Sequence, residues 1–136
     1  MTRYIGIIDG KAGAYGIVFP DLPGCTSMGA TIDEAFQGGV EAIRLWVQDA
    51  LADGEALPPP RDMDALQRDA DVRGALASGA SFASVPLLMD SGRPTRANLS
   101  IDTGLLEAID DAAKERGLTR SGFIASAARD KIAKGA

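Results

Sequence analysis

Near its C-terminal end the chain alternates strictly: in Arg96-Ala97-Asn98-Leu99-Ser100-Ile101 the polar side chains fall on one face of an extended strand and the apolar ones on the other. Two helices should follow. Asp102-Thr103 supplies cap residues for a helix over about Leu105 to Arg116, with Leu105, Leu106, Ile109, Ala112 and Ala113 inward and Gly117 as its stop. Thr119 or Ser121 caps a second helix carrying Phe123, Ile124, Ala127, Ala128 and Ile132. The segment has 44 residues, 93 to 136, with neither cysteine nor histidine. A lone strand leaves both its edges unpaired, so such a segment is too small to be stable alone. The economical solution is a two-fold dimer in which two strands pair antiparallel and four helices close over their apolar faces.

A two-stranded ribbon of that kind fits the major groove of B-form DNA, with alternate side chains turned to base edges. Those side chains would be Arg96, Asn98 and Ser100. Arginine can bond guanine O6 and N7, asparagine adenine N6 and N7, and serine either. The start of the second helix, Thr119 to Gly122, offers backbone N–H groups to a phosphate, with the Thr119 and Ser121 hydroxyls nearby and Arg120 adding charge.

Charge divides the chain in the same place. Residues 1 to 92 hold 6 Lys/Arg against 13 Asp/Glu, a net of −7, whereas residues 93 to 136 hold 8 against 6, a net of +2. An acidic body with a mildly basic tail predicts two partners of different charge. No histidine is present, which removes the usual general base and the commonest zinc ligand, and the single cysteine, Cys25, cannot form an internal disulfide. We therefore expect no enzyme, no cofactor and no metal site, in a reducing, cytoplasmic setting. The longest apolar runs, such as Val85 to Met89, are far too short to span a bilayer.

In the acidic part, Tyr4 to Ile8 and Tyr15 to Phe19 flank a Gly10-Lys11-Ala12-Gly13 turn and read as a β-hairpin. Asp21-Leu22-Pro23-Gly24 is a compact turn, after which Cys25-Thr26-Ser27-Met28 resumes an extended path. Thr31-Ile32-Asp33-Glu34 is a capping box for a helix from about Ile32 to Asp53. Its apolar stripe is Phe36, Val40, Ile43, Trp46, Val47, Ala50 and Leu51, and Gly54 stops it. Gly38-Gly39 stands out, because each mid-helix glycine costs about 1 kcal/mol relative to alanine and so implies a close backbone approach, to the sheet or to a partner. Pro58-Pro59-Pro60 breaks regular structure, Met63 to Leu76 suits short helical turns, and Ser81 to Met89 reads as a last strand, with Pro86 marking an edge or a bulge. Three or four strands with one long helix describe an α+β domain over residues 1–89. Residues 90–94 read as a linker and 95–136 as the second domain.

Phe19-Pro20-Asp21-Leu22-Pro23-Gly24-Cys25, followed by Gly29, Thr31, Glu34, Ala35 and the long helix ending near Gly54, resembles the HicB antitoxin family. The C-terminal strand, helix and helix resemble the ribbon-helix-helix family, with Asp102 where that family often has proline. The resemblance implies a reduced RNase H-like fold for the first domain and a small basic messenger-RNA-cleaving toxin of the HicA type as its partner. It also implies that the chain neutralises that toxin and, as a homodimer bound to operator DNA, represses their shared operon. Acidic candidates for the toxin contact are Asp33, Glu34, Glu41 and Asp49. Two rival readings exist. An RNase H-like nuclease would need Asp9 and a second carboxylate to hold metal ions, and no second acid stands at an obvious position. A ligand-sensing ribbon-helix-helix repressor without a toxin partner would bind a small molecule in the first domain.

Overall fold

The computed structural model describes residues 1–134; Gly135 and Ala136, the end of the expected second domain, lie outside the described residues. The chain divides into two compact units, Met1–Met89 and Asp90–Ala136.

In the first unit, β1 (Arg3–Lys11) and β2 (Ala14–Val18) pair antiparallel from Ile7↔Val18 to Lys11↔Ala14. The hairpin is therefore tighter than the sequence suggests, closing on Ala12-Gly13, where Gly13 takes φ +90°, a value open to glycine at little cost. β3 (Thr26–Gly29) pairs with β2, and β4 (Ser81–Pro86), last in sequence, pairs antiparallel with the far edge of β1. The order β3-β2-β1-β4 makes β3 and β4 the edges, so Pro86 stands on an edge strand, where a missing N–H is tolerated.

Alternation along the strands builds two layers of core. Tyr4, Ile8, Ile17, Phe19 and Val85 point to one face, where Ile43 and Val47 of α1 (Ile32–Ala52) cover them. Ile5 and Ile7 point to the other, where Leu66 of α2 (Met63–Leu66) and Val72 of α3 (Ala70–Ala77) cover them. The sheet is thus sandwiched over β1 and β4, while over β2 and β3 the outer face has no helix and leaves Val18 and Met28 exposed.

α1 begins as its sequence dictates. Thr31 Oγ1 accepts from Glu34 N at 3.1 Å, and Glu34 Oε2 accepts from Ala30 N at 2.8 Å. Its buried line is Ala35, Gly39, Ile43, Val47 and Ala50, with Phe36, Val40 and Trp46 partly buried against the same core, while Leu51 in the last turn is exposed. The two glycines let the helix come close. A Cβ at Gly39 would lie 3.1 Å from Phe19 Cζ and 3.2 Å from Ile17 Cδ1, and one at Gly38 would run into Ser27 Oγ. The neighbour that demands them is the sheet.

In the second unit, Asp102 caps α4 (Thr103–Glu115) by accepting from Gly104 N and Leu105 N. α4 ends before Gly117, at φ +66°. Thr119 Oγ1 accepts from Gly122 N at 3.0 Å and so opens α5 (Arg120–Lys134). Residues 95–101 join no ladder within the chain, which differs from the expected strand. The physical reason is the one that made the segment incomplete by sequence: a ribbon needs a second strand, and one chain supplies none. Among the described residues of this unit, Ala113 and Ala133 are the buried hydrophobics, while Leu99, Leu105, Leu118 and Ile132 are exposed. Among the described residues no helix is long and apolar enough to cross a membrane.

The glycine contact makes a stability prediction. Gly39→Ala should unfold within about 1 kcal/mol of wild type in urea, because the gain in helix propensity offsets a slight compression. Gly39→Leu should lose about 1–3 kcal/mol by overpacking Ile17 and Phe19. Equal stability of all three would mean that α1 does not sit so close.

Candidate nucleic-acid and partner interfaces

Arg96, Asn98 and Ser100 are all exposed, and Leu99 on the alternate face is 63% exposed. The structure thus brings the three candidate readers onto one short stretch, but leaves its apolar face without the cover that would fix their direction. At the start of α5, Thr119 and Phe123 close the first turn through Phe123 N to Thr119 O at 2.9 Å. Among the described residues the N–H groups of Arg120 and Ser121 remain without acceptors, the arrangement that favours a phosphate oxygen.

Arg120 is less free than its sequence position suggests. Its Nε and Nη2 donate to Asp110 Oδ1 and Oδ2, both at 2.8 Å, tying the start of α5 to α4 in a bidentate pair. The Arg120 hydrogen bond holds the Asp110 carboxyl below the usual carboxylate range, and Asp110 in turn raises Arg120. The pair is neutral as a whole, so Arg120 contributes less charge at this helix start than an unpaired arginine would. Beside it, the Arg116 guanidinium lies over the Phe123 ring at 5.7 Å.

The four acidic candidates all lie exposed on α1, yet they form no single patch. Glu34 is used in its cap, and Glu41 pairs with Arg44. Among the described residues Asp33 and Asp49 carry no ion pair, but 16 residues of helix separate them by about 24 Å.

Sequence reasoning missed the network that holds the Pro20-to-Gly24 turn. Asp21, whose side chain is 8% exposed, accepts from Arg61 Nε at 2.6 Å and from Arg61 N at 2.7 Å, while Arg61 Nη1 also reaches Asp69. Trp46 Nε1 donates to Pro23 O at 2.9 Å, and the Tyr4 hydroxyl donates to Pro58 O at 2.7 Å. Asp21 in that motif is therefore a fastening of the proline-rich segment to the turn. An aspartate between two prolines and an arginine just after Pro58-Pro59-Pro60 were the available signal. Cys25 closes the same turn, and burial pushes its thiol up to about 11, out of the range of a reactive thiolate.

Asp9 and Asp33 both line a cavity of about 240 Å³, together with Ile8, Phe36 and Phe82. That volume lies below the roughly 300–1,000 Å³ of ordinary small-molecule sites.

Comparison with known proteins now bears on these surfaces. A family model described as the HicB-like antitoxin of bacterial toxin-antitoxin systems matches residues 4–128. The crystal structure of the Burkholderia pseudomallei antitoxin HicB is similar at 32% identity over 94% of this chain and 96% of that chain, with a TM-score of 0.56. A chain of a HicA3 and HicB3 toxin-antitoxin complex is similar at 22% identity over 65% of this chain and 99% of that chain, with a TM-score of 0.52, a likeness that shows the fold alone. An uncharacterized 14.9 kDa protein from the rep-hol intergenic region of Haemophilus phage HP1 is 27% identical over 120 residues, 87% of this chain and 88% of that protein.

The Asp110–Arg120 pair predicts a pH effect. A carboxyl depressed in the folded state adds stability that is present above its unfolded pKa of about 3.9 and is lost as the pH falls through the depressed value. Thermal unfolding followed from about pH 7 to about pH 3 should therefore show a shallower acid limb for Asp110→Asn than for wild type. Identical limbs would mean that the pair does not persist in solution.

Proposed function

The chain belongs to the HicB-like antitoxin family of bacterial toxin-antitoxin systems, and from that premise we propose that Met1–Met89 neutralises a HicA-type ribonuclease while Asp90–Ala136 represses the shared operon as a DNA-binding dimer. The observation that carries the second half is the combination of an unladdered, alternating segment at 95–101 with exposed Leu99, Leu105, Leu118 and Ile132. Pairing two copies antiparallel through that segment satisfies its backbone and covers those side chains at once, which turns Arg96, Asn98 and Ser100 outward as one ribbon face. The open N–H groups of Arg120 and Ser121, with the Thr119 and Ser121 hydroxyls, then suit phosphates flanking the groove.

Charge supports the first half. Met1–Met89 holds 6 basic against 12 acidic residues, a net of −6, which complements a basic RNA-binding protein and speeds their association. Inhibition needs no chemistry from this chain, since covering the toxin's active site or RNA groove excludes the substrate. On this reading the chain acts in the cytoplasm, where a messenger-RNA-cleaving toxin would meet its substrate, and the buried free Cys25 is compatible with that compartment.

A reciprocal experiment separates the two activities. Residues 1–89 alone should sustain growth of cells expressing the toxin but fail to bind operator DNA. Full-length Arg96→Ala and Asn98→Ala should each lose about 1–3 kcal/mol of specific operator binding and still neutralise the toxin. Sustained toxicity with the soluble fragment, or operator binding unchanged in both variants, would refute the corresponding half.

A further inference from the structure

The acidic candidates on α1 are strung along the helix, whereas on the opposite side of the sheet the part over β2 and β3 is left without a helical cover. β3 is an edge strand, and Phe19 N donates to Cys25 O at 3.2 Å, which sets the phase of the ladder. Ser27 and Gly29 then turn their backbone groups to β2, and Thr26 and Met28 turn theirs away from the sheet. Edge strands are commonly guarded by lysine, glutamate or proline, but Thr26-Ser27-Met28-Gly29 has none of these.

Side chains beside that edge are apolar and open. Met28 is 74% exposed and Val18 46%, and both point to the outer face. A groove of about 290 Å³ runs between Val18 and α3, with Ile7, Pro20, Val72 and Ala75 in its walls and Asp71 at its rim. In the same cross-strand row as Met28, two strands inward, the Asp9 carboxylate lies over Gly16, since a Cβ there would stand 3.6 Å from Asp9 Oδ1. Asp9 and Asp71 are exposed, and among the described residues neither carries an ion pair.

We propose that the β3 edge and the outer face formed by Val18, Met28, Asp9 and Asp71 are the docking surface for the basic toxin, which adds a strand to β3 and sets cationic side chains against the two aspartates. The proposal rests on the antitoxin reading above. Backbone bonds to Thr26 and Met28 supply the register, the apolar strip supplies burial, and the flanking carboxylates select a cationic occupant. A second copy of this chain fits less well. It would bring another unit of net charge −6 to the same place and oppose aspartates with aspartates.

The test uses the full-length chain and the HicA-type protein encoded beside it, with affinity measured by calorimetry. Met28→Lys and Val18→Lys place a cation where the basic partner sits and should each weaken toxin binding by about tenfold or more. Gln37→Lys, the same charge change on exposed α1, should alter it by less than about threefold. Thermal midpoints and operator binding should match wild type in all three, which keeps misfolding apart from lost docking. Equal toxin affinity in Met28→Lys and wild type, or an equal loss in Gln37→Lys, overturns the surface while leaving the antitoxin reading intact. A change in the oligomeric state of Met28→Lys with toxin affinity retained would assign the edge to a second copy and overturn it too. If the wild-type chain itself fails to bind the toxin, the antitoxin reading falls, and the surface with it.

Discussion

The N–H and C=O groups of an extended segment must find partners, and the two units of this chain meet that demand in opposite ways. In the first unit β1 is paired on both sides, by β2 and β4, and each of its faces is closed by a helical layer. That central strand is where the sandwich is complete, and the fastening of Asp21 by Arg61 secures the return of the chain from α1 toward the outer layer. In the second unit residues 95–101 have no ladder among the described residues, and the buried hydrophobics described in the helices that follow are two alanines. A unit of that size, with no cysteine for a disulfide, would gain its missing burial from the association proposed above.

Much of this was legible before any coordinates. The capping box at Thr31, the stop at Gly54 and the cap at Asp102 are local chemistry, decided by side chains that reach their own backbone, so sequence places them well. The glycine pair announced a close approach but not to what, because a helix pattern records spacing and not the identity of the opposing surface. Ile17 and Phe19, some 20 residues earlier, provide it. The same limit hid the Asp21–Arg61 pair, whose partners lie 40 residues apart. Periodicity placed the stripe of α1 on residues that do pack against the core, apart from the exposed Leu51, but it passed over Ala35 and Gly39, since large apolar residues dominate a hydrophobicity pattern.

Site residues were harder to read than elements. Arg120 looked like a free cation at a helix start, and only the folded arrangement of α4 and α5 shows its guanidinium spent on Asp110. The α1 acids stand in the sequence as separate candidates, and the fold shows Glu34 engaged in its cap and Glu41 in an ion pair with Arg44. Conversely, Val18 and Met28 look unremarkable in strands that alternate, and their exposure follows from where the α2–α3 layer stops, a matter of tertiary coverage that no local window reports.

The central claim is that residues 95–101 become a strand only when a second copy supplies the other half of the ribbon. Amide hydrogen exchange on the intact chain, followed over a range of protein concentrations, tests it directly. The account predicts that peptides covering 95–101 exchange at nearly unstructured rates in dilute monomer and become protected in step with dimer formation seen by sedimentation. Exchange that stays fast in a chain shown to be dimeric, or protection that is already complete in the monomer, would contradict it.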